Sequence, residues 1–268
     1  MLVRELTEAL FGFFPQEDAE PWDHVGLSVG DPEAEIVGVF VALDATEETV
    51  HQAVGAGCNV LVTHHPVYIE APSVFTPASP RVSHASATVY TAARRGLSII
   101  SMHTNLDRSV AVRTCFAKLM DLPCVSSLEH FDDPHVTGLG SVCDVAECSL
   151  RSFVKRVANS FDGVPRVWGD PDMSLHKVAF LGGSLGDFGE LAMEHDADAI
   201  VTGELGYHRA QDLLLRGCAV IELGHDISEF PFVDILANHV VLAGVDPHMV
   251  SKIVRLKQWW TYDKGVIS

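Results

Sequence analysis

The chain has 268 residues, 47% hydrophobic and 20% charged, with a formal net charge of -18. That length allows one large or two ordinary domains with ample core, and the acidic balance works against nucleic-acid binding, which draws on clustered Lys and Arg. The longest apolar stretch, Val37 to Leu43, is far short of the roughly 20 residues of a membrane span, and Arg4, Glu5 and Glu8 interrupt the N-terminus where a leader would be apolar, so a cytoplasmic protein is expected.

In chain order, Leu2, Leu6, Leu10 and Phe13 stand at helical spacing before Pro15. A loop, PWDHVGLSVGD, then carries the polar pair Asp23 and His24. Ile36 to Leu43 reads as a strand, and Asp44 with Glu47 three residues on suits the cap of a helix carrying Val50 and Ala53. The next apolar run, NVLVTHHP, ends on His64 and His65. Residues 36 to 63 thus make a strand, helix, strand unit, which favours a parallel sheet with a right-handed crossover. A helix is expected over 84–95, a third strand over Leu97 to Met102, and then the polar cluster HTNLD, His103 to Asp107.

After a helix from Val110 to Met120 the texture turns polar and acidic between Pro123 and Pro134. A domain boundary is placed there, giving a first domain of residues 1–125 and a second of 126–268, whose C-terminal segment is free to pack back on the first. In the second half SVCDV reads as a strand, LRSFVKRVANSF as a helix, and Lys177 to Leu181 as a strand running into GGSLGD, where Gly182 and Gly183 allow backbone close to a ligand but, lacking the dinucleotide fingerprint, read more readily as a turn. A helix around Glu190 and Met193, strand AIVTGE, helix HRAQDLLLRG, strand AVIELGH and a helix beginning near Ile227 follow. The expected class is α/β, two domains of similar topology with mainly parallel sheets. The six cysteines show no C-x-x-C spacing, so most are read as small buried hydrophobes rather than metal ligands.

The halves look like a diverged duplication: GCNVLVTHH followed by LSIISMHTNLD corresponds to DADAIVTGE followed by AVIELGHDISE. Strand ends match strand ends, and ligands of open α/β sheets collect outside the carboxyl ends of strands. One pair of matching ends carries His64 and His65 against Glu204; the other carries His103 and Asp107 against His225 and Glu229. Both latter pairs are four apart, which shares a face on a helix. Each cluster alone is also what a packed histidine or a capped helix start would give. Together they point to a shared metal site, and adjacent side chains on an extended chain diverge, so His64 and His65 suit two separate ions better than one. His51, His84, His130, His135, His176, His195, His208, His239 and His248 lack convergent partners and are read as surface or structural.

From WDHVGLSVGD through VALDAT, THHP, HTNLD, GLG, LGGSLGD and VTGE to GHDISE, the ordered motifs resemble the dinuclear-metal-centre proteins named after Ngg-interacting factor three, also known as GTP cyclohydrolase I type 2 homologues. The resemblance implies two adjacent metal ions in a cleft between the domains, and often a ring-shaped hexamer; the short interval between the halves suggests that the inserted domain of long members is absent. It carries over His64, His65, Asp107, His225 and Glu229 as ligands; five residues hold two ions only if a carboxylate bridges and water fills the rest, and Glu229 is taken as that bridge. Two departures stand out: His24 where the family has Asn, and RSVAV after HTNLD where it continues with glycines. Imidazole and carboxylate ligands suit Zn, Mn, Fe, Co or Ni, and two ions suit hydrolysis of a small, nucleotide-like or otherwise anionic molecule. His103 and Glu204 are the candidate catalytic residues, as outer-shell or proton-transfer groups. A metal-handling protein and a ring-forming scaffold without turnover are the competing readings.

Overall fold

The structure, a computed structural model, describes residues 1–133, 135–255 and Trp259. Pro134, at the end of the expected boundary interval, and residues 256–258 and 260–268 of the expected second domain lie outside the described residues. Strands β1 (Gly26–Val29), β2 (Val39–Ala42), β3 (Val60–Thr63) and β4 (Ser98–Ser101) stand in one sheet in the order β1-β4-β3-β2. A second sheet has β5 (Cys124–Ser126), β6 (Ser141–Ser149), β7 (Arg166–Trp168), β8 (Ser174–Ser184), β9 (Ala199–Glu204) and β10 (Ala219–Glu222) in the order β5-β6-β8-β9-β10-β7. Near the C-terminus β11 (Val250–Lys252) returns to the first sheet and pairs parallel with β2.

Both sheets contain a matching run of three parallel strands, β2-β3-β4, which β11 extends to four, and β8-β9-β10, with an antiparallel strand at the corresponding edge, β1 on β4 and β7 on β10. The protein is therefore mixed α/β. Period-two burial divides the side chains of each strand between two cores. Val39, Val41, Val60 and Val62 face Val178, Phe180, Val201 and Ile221 in a core between the sheets, while Phe40, Ala42 and Leu61 on one outer face, and Ala179, Ile200 and Val220 on the other, build separate clusters.

The helices are α1 (Val3–Phe13), α2 (Glu47–Gly55), α3 (His84–Arg95), α4 (Thr104–Asp107), α5 (Val110–Leu119), α6 (Leu150–Phe161), α7 (Gly189–Glu194), α8 (Tyr207–Leu215), α9 (His225–Glu229) and α10 (Pro231–Leu242). Helices α1, α5, α6 and α10 send Leu6, Phe116, Phe153 and Phe232 into the central core. The helix expected near Ile227 is two helices, because Pro231 opens α10 at a first-turn position that needs no amide donor. Two other readings need correction. The loop containing Asp23 contains β1, which owes its pairing to β4 rather than to any periodicity of its own. Asp44 is not the cap of α2: Thr46 accepts from the Thr49 amide at 3.2 Å, closing a capping box with the Thr49 hydroxyl. No described helix is long and apolar enough to cross a membrane.

Candidate metal centre

All five expected ligands meet at the carboxyl ends of β3, β4 and β10. His64 and His65 follow the last residue of β3, Asp107 closes α4 just beyond β4, and the short α9 after β10 begins at His225 and ends at Glu229. The first sheet thus supplies three residues and the second sheet's loop the other two. Glu229 sits in the middle, nearly inaccessible to solvent, with Oε1 3.6 Å from His64 Nε2 and Oε2 3.0 Å from His65 Nε2 and 3.1 Å from His225 Nε2. Asp107 Oδ1 lies 3.6 Å from the same His64 nitrogen. Two ligand sets, His64-Asp107-Glu229 and His65-His225-Glu229, have donor atoms within 4.8 Å of one another and share Glu229; a third, His64-His65-His103, overlaps both.

The outer nitrogens explain why the inner ones converge. His64 Nδ1 donates to the Met102 carbonyl at 3.1 Å, which leaves the Nε2 lone pair facing the centre. His65 Nδ1 is held by Asp44 at 2.8 Å, His225 Nδ1 by Glu204 at 3.0 Å, and His103 Nδ1 by Asp23 at 2.9 Å. Carbonyl or carboxylate support of this kind fixes ring orientation and tautomer at metal-binding histidines. Asp44 and Asp23, read from sequence as a cap and a loop residue, are therefore parts of the site. Only contacts across 21 and 80 residues reveal them, so no local spacing could have. Glu204 touches His225 and not the centre directly, and His24 lies aside, its ring edge-on to Tyr68.

Charge is concentrated here. Burial, opposed by Asp44 and Glu229, leaves the His65 imidazole pushed up to about 10, and the Glu229 carboxylate raises His225 to about 9. Burial instead lowers His64. Burial and the Glu229 charge push Asp107 up, whereas Glu229 itself, against its burial, is held well below the carboxylate range by His64, His225 and His65. His64 Nε2 is buried without a hydrogen-bond partner, its nearest carboxylate oxygens standing 3.6 Å away, and an orphaned polar atom inside a protein calls for an explanation such as an ion. Imidazole nitrogens with occupied outer faces, two carboxylates and this orphan atom fit divalent cations.

A cavity of about 450 Å³ opens on this cluster, reaching His103, Asp107, His225 and Glu229 from a wall that includes Phe116 and Phe232. A second, of about 430 Å³, meets His65 and His225 from the side of Asp44 and Glu204.

The fold and sequence have clear relatives. A protein of Clostridium acetobutylicum named GTP cyclohydrolase 1 type 2 homolog is 30% identical over 240 residues, 88% of each chain. One of the same name from Streptomyces coelicolor is 30% identical over 241 residues, 87% of this chain and 83% of that one. A crystal structure of a Bacillus cereus protein related to NIF3 superposes with a TM-score of 0.87 at 19% identity, and a Staphylococcus aureus hypothetical protein with 0.85 at 23%, each over 98% of this chain and 99% of the other. The family model described as Duf34/NIF3 (NGG1p interacting factor 3) matches residues 1–254, and the chain belongs to that family.

Proposed function

We propose that the chain is a dinuclear-metal-dependent hydrolase of a small molecule. The observation that carries this reading is Glu229, a buried carboxylate standing between two sets of ligand atoms. His64 and Asp107 would hold one ion, His65 and His225 the other, and Glu229 both. A bound pair of divalent cations supplies Lewis acidity and activates water at neutral pH. The chain's own residues prepare the site: Asp44, Glu204 and the Met102 carbonyl orient the imidazoles, and Phe116 and Phe232 shield one side from bulk water. His103, oriented by Asp23 and lining the larger cavity, is placed to hold or pass a proton, whereas Glu204 acts through His225. The name shared by the relatives adds ring-opening hydrolysis to the reactions worth screening.

The experiment is elemental analysis of metal-replete protein paired with a hydrolysis screen of phosphoesters, cyclic amides and nucleotides, with and without chelator. Two ions per chain and turnover that vanishes on chelation and returns with metal are expected. Two bound ions with no chelator-sensitive turnover would favour metal handling or a scaffold. We extend the proposal to a cytoplasmic homo-oligomer, a hexameric ring by family resemblance, which analytical ultracentrifugation tests.

A further inference from the structure

The cavity of about 450 Å³ beside the candidate metal centre is the size of a small-molecule site, and its lining points to the class of molecule. Apart from the candidate ligands and His103, the wall is mostly apolar or aromatic, including Trp22, Val112, Phe116, Leu181, Phe188 and Phe232. Among the described residues that line it there is no Lys or Arg, and three carboxylates, Glu20, Asp107 and Glu229, face it. The nearby cations are already matched. Arg108 grips Glu129 through two nitrogens at 3.0 and 2.9 Å and also binds Glu20 at 2.5 Å, and Arg209 pairs with Asp187 and the Gly186 carbonyl.

The glycine-rich segment Gly182 to Asp187 runs along the same wall and could be taken for a phosphate cradle. Two of its amides are committed elsewhere, Gly183 donating to the Ser228 hydroxyl at 3.0 Å and Leu185 to the Glu204 carbonyl at 2.9 Å, and just beyond it Phe188 donates to the Leu185 carbonyl at 3.1 Å. Phosphate recognition draws on free backbone amides, on Arg and Lys, or on metal ions. Two divalent cations against Asp107 and Glu229 would leave about two positive charges, fewer than the roughly four negative charges of a triphosphate, so with Glu20 matched by Arg108 a polyphosphate would still bring excess negative charge to a protein already at -18.

Resting on the hydrolase reading for its reactive centre, we infer that the substrate is a compact, uncharged, planar ring bearing a carbonyl group, such as a heterocyclic amide, and not a nucleoside polyphosphate. The ring lies against the aromatic wall and would turn its electron-rich oxygen toward the cations that the candidate ligands hold when loaded.

A matched series tests this: uracil, uridine, uridine monophosphate and uridine triphosphate, titrated calorimetrically into manganese-loaded protein at low salt, with metal content checked after each titration. The uncharged members should bind at least about tenfold more tightly than the triphosphate, a difference of about 1.4 kcal/mol, and added salt should narrow the gap. Trp22→Ala should weaken the uncharged members while sparing metal content. Glu20→Gln, which removes a lining carboxylate and frees a face of Arg108, should raise triphosphate affinity. Triphosphate binding as tight as uridine, or no binding by any uncharged member, overturns the inference. Preferential binding of the uncharged members with no hydrolysis would leave the ligand class standing and remove the hydrolase reading; turnover of the triphosphate in preference to them would do the opposite.

Discussion

Glu229→Gln keeps the volume of the side chain and removes the charge at the one point both ligand sets share. Oε1 stands 3.6 Å from His64 Nε2, and Oε2 3.0 and 3.1 Å from His65 and His225 Nε2, so the substitution weakens both candidate ion sites at once. Glu204→Gln touches only the outer nitrogen of His225, and losing such an anchor typically lowers metal affinity about 10–100-fold. Metal content after dialysis against a weak chelator should therefore fall in the order wild type, Glu204→Gln, Glu229→Gln, with His103→Ala close to wild type. Equal occupancy in Glu229→Gln and Glu204→Gln would refute the shared-carboxylate argument.

The same substitution has a signature in metal-free protein. His65 and His225 are raised from 6.5 to about 10 and about 9, so their contribution to stability is complete below their ordinary value and is lost as pH rises through about 9 to 10. Glu229 is depressed, and its contribution disappears on the acid side, as pH falls through its folded value. Breaking a buried ion pair from one side costs about 3–5 kcal/mol when the stranded charge cannot escape. Here each imidazolium can shed its proton and His225 is partly exposed, so we expect only about 1–3 kcal/mol near neutral pH. Urea unfolding of chelated wild type should show stability falling between about pH 7 and pH 10, and the variant should show a flatter profile. An unchanged alkaline slope would refute the assignment of those protons to Glu229.

Metal uptake should release protons, because ions must displace those held by His65 and His225; apparent affinity should climb with pH through neutrality, and a flat affinity measured by competition with a metal dye would contradict this. Asp23→Asn replaces the carboxylate that accepts from His103 Nδ1 and from the Thr104 amide. It should leave metal content intact and lower turnover about 10–100-fold, and metal loss equal to that of Glu204→Gln would make His103 a ligand instead. Thr46→Ala should cost about 0.5–2 kcal/mol of stability in urea through the lost cap, whereas Asp44→Asn should lower metal affinity, the reverse of what a capping Asp44 would give.

The parallel strands and the five candidate ligands were legible because each rests on a local pattern: an apolar run for the strand, then a His or His-x-x-x-acid group where the run ends. Most of what supports them was not: Asp44, Met102 and Asp23 reach their histidines across 21, 38 and 80 residues, and a single sequence carries no signal for such pairings, whereas Glu204 stood out by its place at the end of an apolar run. Asp44 was misread for a physical reason, since an Asp three residues before Glu resembles a cap until Thr46 is seen to occupy that place. The strands β5, β7 and β11 escaped notice because three residues are too few to show a period. Their partners in the sheet define them.

Gly183 is the sharpest case of a residue whose role lies in what it leaves out. As part of GGSLGD it reads as a turn, and its φ of +62° alone would justify glycine. A Cβ there would also lie 2.3 Å from Glu229 Oε1 and 3.2 Å from His225 Nε2, while Gly203 on the neighbouring strand leaves no room to retreat, its own Cβ position being 2.4 Å from the Gly183 carbonyl oxygen. Gly183→Ala therefore carries a backbone cost of about 1–2 kcal/mol and pushes the shared carboxylate off its position. Gly186→Ala provides the comparison, because its φ is +52° and its nearest neighbour, Phe188 Cδ2, is 3.9 Å away. Gly183→Ala should lose at least as much stability in urea as Gly186→Ala, and it should lose metal where Gly186→Ala keeps it. Equal metal content in the two would mean that Glu229 adapts freely, and that the close approach of β8 to α9 does not set the geometry of the centre.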